Sequence, residues 1–250
     1  MHPLLLKCGF ISIYSYGAMI VMAFFVATYL AQRAAKRSGV SADIITNSAL
    51  LVLFSGIVGA RILYVLLDLE FYAQNPIEIF MLPHGGLAFY GGAIAAIAAE
   101  LIYLKLKKLS VYEIGDLIIP YVALGQAIGR LGCFLNGCCY GKPTDSFFGV
   151  TFPGEAHAVY PTQIFSSVLL IFLYGFLRLL QKLNVRPGIV LISYGLLYSA
   201  GRFLMEFLRG DNMAIVLGLT FSQFVGVVVF LFCAILLLIR LSQTHGRDTN

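Results

Sequence analysis

Three arginines fall where an apolar chain should resist them. Arg61, Arg130 and Arg202 each lie inside a long hydrophobic run. A guanidinium at the centre of such a helix costs about 3 kcal/mol on insertion scales, and less near the interface. One arginine could snorkel to the headgroups or pair internally. Three on one side favour a shared anion, and the anion available there is a phospholipid phosphate, which the planar guanidinium fork suits. Arg130 opens the densest stretch of unusual residues, Gly129-Arg130-Leu131-Gly132-Cys133-Phe134-Leu135-Asn136-Gly137-Cys138-Cys139-Tyr140-Gly141. Its glycines let backbone approach a ligand closely.

Other polar residues fall near these arginines by helical spacing. Tyr198, Arg202 and Glu206 recur at i, i+4 and i+8, one face of a helix, so Arg202 and Glu206 are placed to pair. That pair reads equally as a stabilising contact or as part of a catalytic site. Gln126 lies one turn before Arg130. Asp116 lies roughly 21 Å before Arg130 along the helix, which marks it as structural. Glu100 reads as a bundle-interior pair. Tyr16 and Tyr90 belong near the outer ends of their runs, where tyrosines commonly form interfacial belts; the Gly91-Gly92 pair beside Tyr90 exposes backbone. The five cysteines, Cys8, Cys133, Cys138, Cys139 and Cys233, form no disulfide framework. Cys133, Cys138 and Cys139 have no histidine at finger-like spacing, so they are expected to be small, buried and inert, with no metal. Adjacent Cys138 and Cys139 are poorly placed to pair with each other.

The elements that must position these residues follow from composition. The 250 residues are 60% hydrophobic and 12% charged, against about half and a quarter in soluble domains. The chain reads as an all-α membrane protein with seven transmembrane helices near residues 11–31, 46–67, 87–106, 112–133, 162–181, 187–208 and 217–239, each close to the roughly 20 residues a bilayer needs. Eleven Lys and Arg flank one set of alternate ends (Arg33 to Arg37, Lys105 to Lys108, Arg178 to Arg186, Arg240, Arg247), against Lys7, Lys142 and Arg209 on the other. Positive residues stay inside, so the N-terminus is expected outside and the C-terminus in the cytoplasm. The net charge of +5 is thus a topology signal, and its division among four short connections excludes a nucleic-acid surface. Residues 68–86 and 134–161 are the longer, outer (periplasmic) connections, expected to cap a site as interfacial or re-entrant pieces. Residues 1–240 read as a single membrane domain and 241–250 as a disordered cytoplasmic tail. Gly125 and Gly129 should let helices pack closely.

The signature Gly129-Arg130-Leu131-Gly132-x-Phe134-Leu135-Asn136-Gly137-x-x-x-Gly141 closely resembles that of the prolipoprotein diacylglyceryl transferase family. The resemblance extends through Tyr14-Ser15-Tyr16-Gly17, Gly59-Ala60-Arg61, Gly86-Leu87-x-Phe89-Tyr90-Gly91-Gly92, Tyr160-Pro161-Thr162-Gln163 and Tyr198-x-x-x-Arg202-x-x-x-Glu206-Phe207-x-Arg209. It implies a multi-pass bacterial inner-membrane enzyme that moves the diacylglyceryl group of phosphatidylglycerol to the lipobox cysteine of a prolipoprotein signal peptide. This is the first step of lipoprotein maturation, with glycerol phosphate as the other product. Arg130 and Arg202 carry over as essential, and Asn136 and Tyr16 as implicated. Arg130 and Arg202, with Glu206, Tyr198 and Tyr90, form the expected catalytic group. Arg130, Asn136, Tyr16, Arg61, Gly91, Gly92, Gln126 and Arg209 form the expected substrate-binding group. Tyr90 stands where the family carries a loop histidine, and Cys133 and Cys138 replace an asparagine and an acidic residue. Anion binding therefore carries over more completely than proton abstraction, and no cofactor is expected. The alternatives are a related transferase using another lipid or acceptor, and a lipid-binding or transport protein. Transport fits less well, because the polar residues gather toward one face and no internal repeat is evident.

Overall fold

The computed structural model describes residues 4–8, 11–81, 85–209, 214–216 and 218–242; Pro83, His84 and the tail from 243 onward lie outside them. After a short hairpin of β1 (Leu4–Cys8) and β2 (Ile11–Tyr14) come α1 (Ser15–Arg37), α2 (Ala42–Leu67), α3 (Leu69–Gln74), a 3-10 turn (Pro76–Phe80), α4 (Phe89–Leu106), α5 (Val111–Asn136), α6 (Thr162–Lys182) and α7 (Ile189–Glu206). A second hairpin, β3 (Ala214–Val216) and β4 (Leu219–Thr220), leads into α8 (Phe221–Ser242). Seven of these helices, all but α3, are long and apolar enough to cross a membrane. They leave large apolar side chains such as Phe54, Ile94, Phe172 and Leu238 exposed, as lipid-facing surfaces do. The chain is a multi-pass membrane protein.

Two compact units are formed, one by residues 1–31 and 115–250, the other by Gln32–Ile114. In the second, α2 and α4 pack almost backbone to backbone. A Cβ on Gly92 would stand 2.9 Å from Gly56 O, and one on Gly91 would collide with Gly59 O. These glycines let the two helices approach closely. Half-buried Glu100 accepts from Ser48 Oγ at 2.9 Å. Its interior partner is thus a hydroxyl, where an ion pair was the natural expectation.

In the first unit the core is Ala123, Ala127, Leu170, Leu173, Leu177 and Val190, from α5, α6 and α7. Pro120 lies buried inside α5 and has no N–H for the carbonyl four residues earlier. That carbonyl, Asp116 O, instead accepts from Gln181 Nε2 of α6 at 2.5 Å. The Asp116 carboxylate takes Gly188 N at 2.6 Å and Leu191 N at 2.7 Å, capping the start of α7. Asp116 is structural, as its distance from Arg130 implied. α1 crosses α5 closely: a Cβ on Gly125 would stand 3.4 Å from Ala27 Cβ, and one on Gly132 2.8 Å from Met19 Cβ.

Candidate active site

Arg130 of α5 and Arg202 of α7 line one cavity of about 370 Å³. Its remaining walls are mostly apolar, among them Leu169, Leu173 and Phe176 of α6 and Leu197 and Met205 of α7, with Ser166 and Tyr198 as polar exceptions. Two arginines from different helices thus border one otherwise oily cleft.

The two arginines are held differently. Arg202 Nη1 pairs with Glu206 Oε2 at 2.5 Å, with the Glu206 side chain 1% and the Arg202 side chain 24% exposed. Glu206 Oε1 accepts from Thr220 Oγ1 at 2.9 Å. Thr220 is itself locked in a capping box at the start of α8: Gln223 N donates to Thr220 Oγ1 at 3.2 Å, and Thr220 N donates to Gln223 Oε1 at 3.0 Å. A chain of α8 cap, carboxylate and guanidinium therefore sets the direction of Arg202. Arg130 has no carboxylate partner among the described residues. Gln126, one turn earlier, accepts from Tyr194 OH at 2.8 Å, and Tyr194 stacks on Tyr198 with ring centroids 5.4 Å apart.

The signature loop begins at the end of α5. Gly137 adopts φ +74°, Gly137 N donates to Phe134 O, and Cys138 N donates to Cys133 O. This is a Schellman cap, which brings the residue after the glycine back onto the last turn. Cys139 takes φ +66° and curls the chain again. The Cys138 carbonyl then accepts from Gln163 Nε2 at 2.6 Å, and the Cys139 carbonyl from Thr162 Oγ1 at 2.8 Å. Gly141 is required where it stands, since a Cβ would meet Leu208 O at 2.5 Å. Asn136 sits exposed at the helix end, and Tyr16, at the start of α1, is half exposed and within electrostatic reach of Arg130 and the three cysteines.

The second unit holds the other expected residues. Arg61 is buried, 7% exposed. It donates to Ile79 O at 3.0 Å, Gly85 O at 2.6 Å, Gly86 O at 2.9 Å and to Glu78 O, and its guanidinium lies over the Tyr64 and Tyr72 rings. Four of its five N–H groups are thus committed to backbone. Arg61 thereby clamps the connection after α2. Tyr90 is half-buried in the first turn of α4, its ring against Phe89.

The family described as prolipoprotein diacylglyceryl transferase matches residues 3–239. The chain belongs to that family. Among its relatives is a phosphatidylglycerol–prolipoprotein diacylglyceryl transferase of Clostridium tetani, 38% identical over 90% of this chain and 92% of the relative. A second, numbered 2, of Clostridium perfringens is 38% identical over 95% and 94%. One from Bacillus velezensis is 28% identical over 96% and 92%.

Within this member of the prolipoprotein diacylglyceryl transferase family, the cysteines of the signature loop differ in acidity. A hydrogen bond with Cys133, opposed by burial and reinforced by Cys138 and by the positive fields of Arg209 and Arg130, lowers Cys139 to about 5. Burial raises Cys138. Thr220, Thr162 and Ser166 were not singled out from sequence as site residues. Thr220-x-x-Gln223 before an apolar run is a legible capping-box pattern, but nothing local connects it to Glu206.

Proposed function

We propose that this chain transfers the diacylglyceryl group of phosphatidylglycerol to the thiol of the lipobox cysteine in a prolipoprotein signal peptide, releasing glycerol phosphate. The reading is supported above all by Arg130 and Arg202, from two helices, lining one apolar cleft. The family relationship supports the same substrates.

Alkyl transfer to sulfur has three requirements. The carbon must be held in line with the thiol, the thiol must lose its proton, and charge returning to the departing phosphate must be stabilised. Arg130, which pairs with no carboxylate among the described residues, grips the headgroup phosphate. Arg202, aimed by Glu206 with Tyr198 beside it, meets the leaving oxygen. Asn136, Tyr16, Gln126 and Arg209 contribute to holding the headgroup. Positive potential lowers the thiol's pKa from about 8.5, and its proton passes to water, with Tyr90 as a further relay. The N-terminus faces outward from a bacterial inner membrane, the C-terminus inward, as the distribution of basic residues supports, and residues 1–240 act as one membrane domain.

Purified protein is incubated with phosphatidylglycerol vesicles and a lipobox peptide, and the peptide is weighed by mass spectrometry. A diacylglyceryl adduct is expected, lost in Arg130→Ala and Arg202→Ala variants that still insert. Normal turnover by either variant removes its assigned role. An adduct formed only from another lipid, or lipid retained without any adduct, overturns the reading in favour of a related transferase or a lipid-binding protein.

A further inference from the structure

The Sγ atoms of Cys133, Cys138 and Cys139 lie within 4.8 Å of one another, those of Cys138 and Cys139 at 3.5 Å. Their spacing in sequence conceals this. The Schellman cap brings Cys138 back to Cys133, and the left-handed Cys139 turns a third sulfur onto the same point. The arrangement is anchored from outside by Thr162 and Gln163, which are 3% and 1% exposed and hold the carbonyls of Cys139 and Cys138. Gln163 Oε1 is buried with no hydrogen-bond partner among the described residues, leaving an acceptor beside the loop for a donor such as a metal-bound water.

Three sulfurs at a zinc ion's bond length of about 2.3 Å stand roughly 3.8 Å apart in a tetrahedron, so shifts of about an ångström or less close this cluster around a cation. Thiolates select thiophilic d10 ions. Three protein ligands, with a fourth position left to water or substrate, is the pattern of catalytic zinc. All three residues are only partly buried, so the fourth position can be reached. Arg130 and Arg209 act electrostatically on Cys139, and they offset the excess negative charge of a zinc ion carrying several thiolates.

We propose that Cys133, Cys138 and Cys139 bind one zinc ion whose fourth position receives the acceptor thiol of the transfer reaction. The inference rests on the transferase reading and adds to it the means of activating the sulfur. The thiol displaces water from the ion and gives its proton to solvent, because a zinc-bound thiol is deprotonated. A lone pair on that sulfur then forms the C–S bond at the glycerol carbon. The C–O bond breaks, and its electron pair leaves with the phosphate oxygen of glycerol phosphate. The thioether is a weaker ligand and departs, and water returns. No oxidant or reductant enters.

The test uses reduced full-length protein in detergent, stripped of metal with EDTA and titrated with cobalt(II), zinc's spectroscopic substitute. One cobalt per chain is expected, with sulfur-to-cobalt charge-transfer absorption and tetrahedral d–d bands that zinc displaces. Lipobox peptide should shift the d–d bands, and the same peptide with serine for cysteine should not. Cys139→Ser should lose most of the charge-transfer intensity, and the Cys133→Ser, Cys138→Ser, Cys139→Ser triple variant all of it. Absence of stoichiometric cobalt, an unchanged titration in the triple variant, or a spectrum blind to the peptide thiol overturns the proposal. So does full transfer by stripped protein, an outcome that leaves the transferase reading standing. A peptide-sensitive metal site in a protein that forms no adduct with any lipid would instead remove the transferase reading and, with it, the catalytic half of this one.

Discussion

Thr220 offers the sharpest test of how the arginines are aimed, because it touches neither lipid nor peptide in the proposed mechanism. Its hydroxyl caps α8 and donates to Glu206, whose other oxygen holds Arg202. Thr220→Val keeps the shape and removes both bonds. Loss of an N-cap costs about 1 kcal/mol, and loss of a hydrogen bond to a charged group about 1.5–3 kcal/mol. With Arg202 partly open to water, the lower end applies, so roughly 2–3 kcal/mol of stability should go. If about 1.4 kcal/mol of that anchoring is felt at the transition state, kcat/KM falls about tenfold. Thr220→Ser retains both bonds and should restore activity. Thr220→Asp keeps the cap but sets a second carboxylate against Glu206, and should stay impaired while melting nearer the parent than Thr220→Val. The assays are thermal melting in detergent and peptide-adduct formation at varied phosphatidylglycerol. A Thr220→Val protein that melts lower yet turns over normally would show that Arg202 does not depend on this chain of bonds.

Three further outcomes are expected. Asp116→Ala removes both hydrogen bonds to the start of α7 and should lower stability by about 1–2 kcal/mol with kcat unchanged; an unaltered melting temperature would deny Asp116 its capping role. In metal-free protein near neutral pH, Cys139, lowered to about 5, is a thiolate, whereas Cys138, raised by burial, is a thiol. Iodoacetamide should therefore label Cys139 first by peptide mapping, and the reverse order would contradict these environments. Tyr90→Phe should slow transfer if the hydroxyl relays the proton, and unchanged rates from about pH 6 to 9, spanning the reference thiol, would dismiss that relay.

Much of the scaffold could be read locally. About twenty apolar residues in a row leave a helix few options but lipid, and the seven helices of the structure fall within a few residues of the runs in the chain. The Arg202–Glu206 pair was legible because i and i+4 meet on any helix. Asp116 was legible as structural because its rise along α5 takes it away from Arg130.

What the chain alone left open was each group's distant partner. Arg61 and Arg130 look equivalent in sequence, yet Arg61 answers to carbonyls from 17 to 25 residues further on. Gly91 and Gly92 expose backbone in sequence, and only the fold brings α2 against it. Thr220 lies 14 residues from Glu206, and Cys139 reaches Cys133 only through two successive left-handed turns. Hydropathy and helical period act between neighbours, so sequence determined the spans and their faces. Hydrogen-bond saturation and sulfur proximity act between strangers in the chain, so only the tertiary structure decided which polar residues were already engaged and which remained for chemistry.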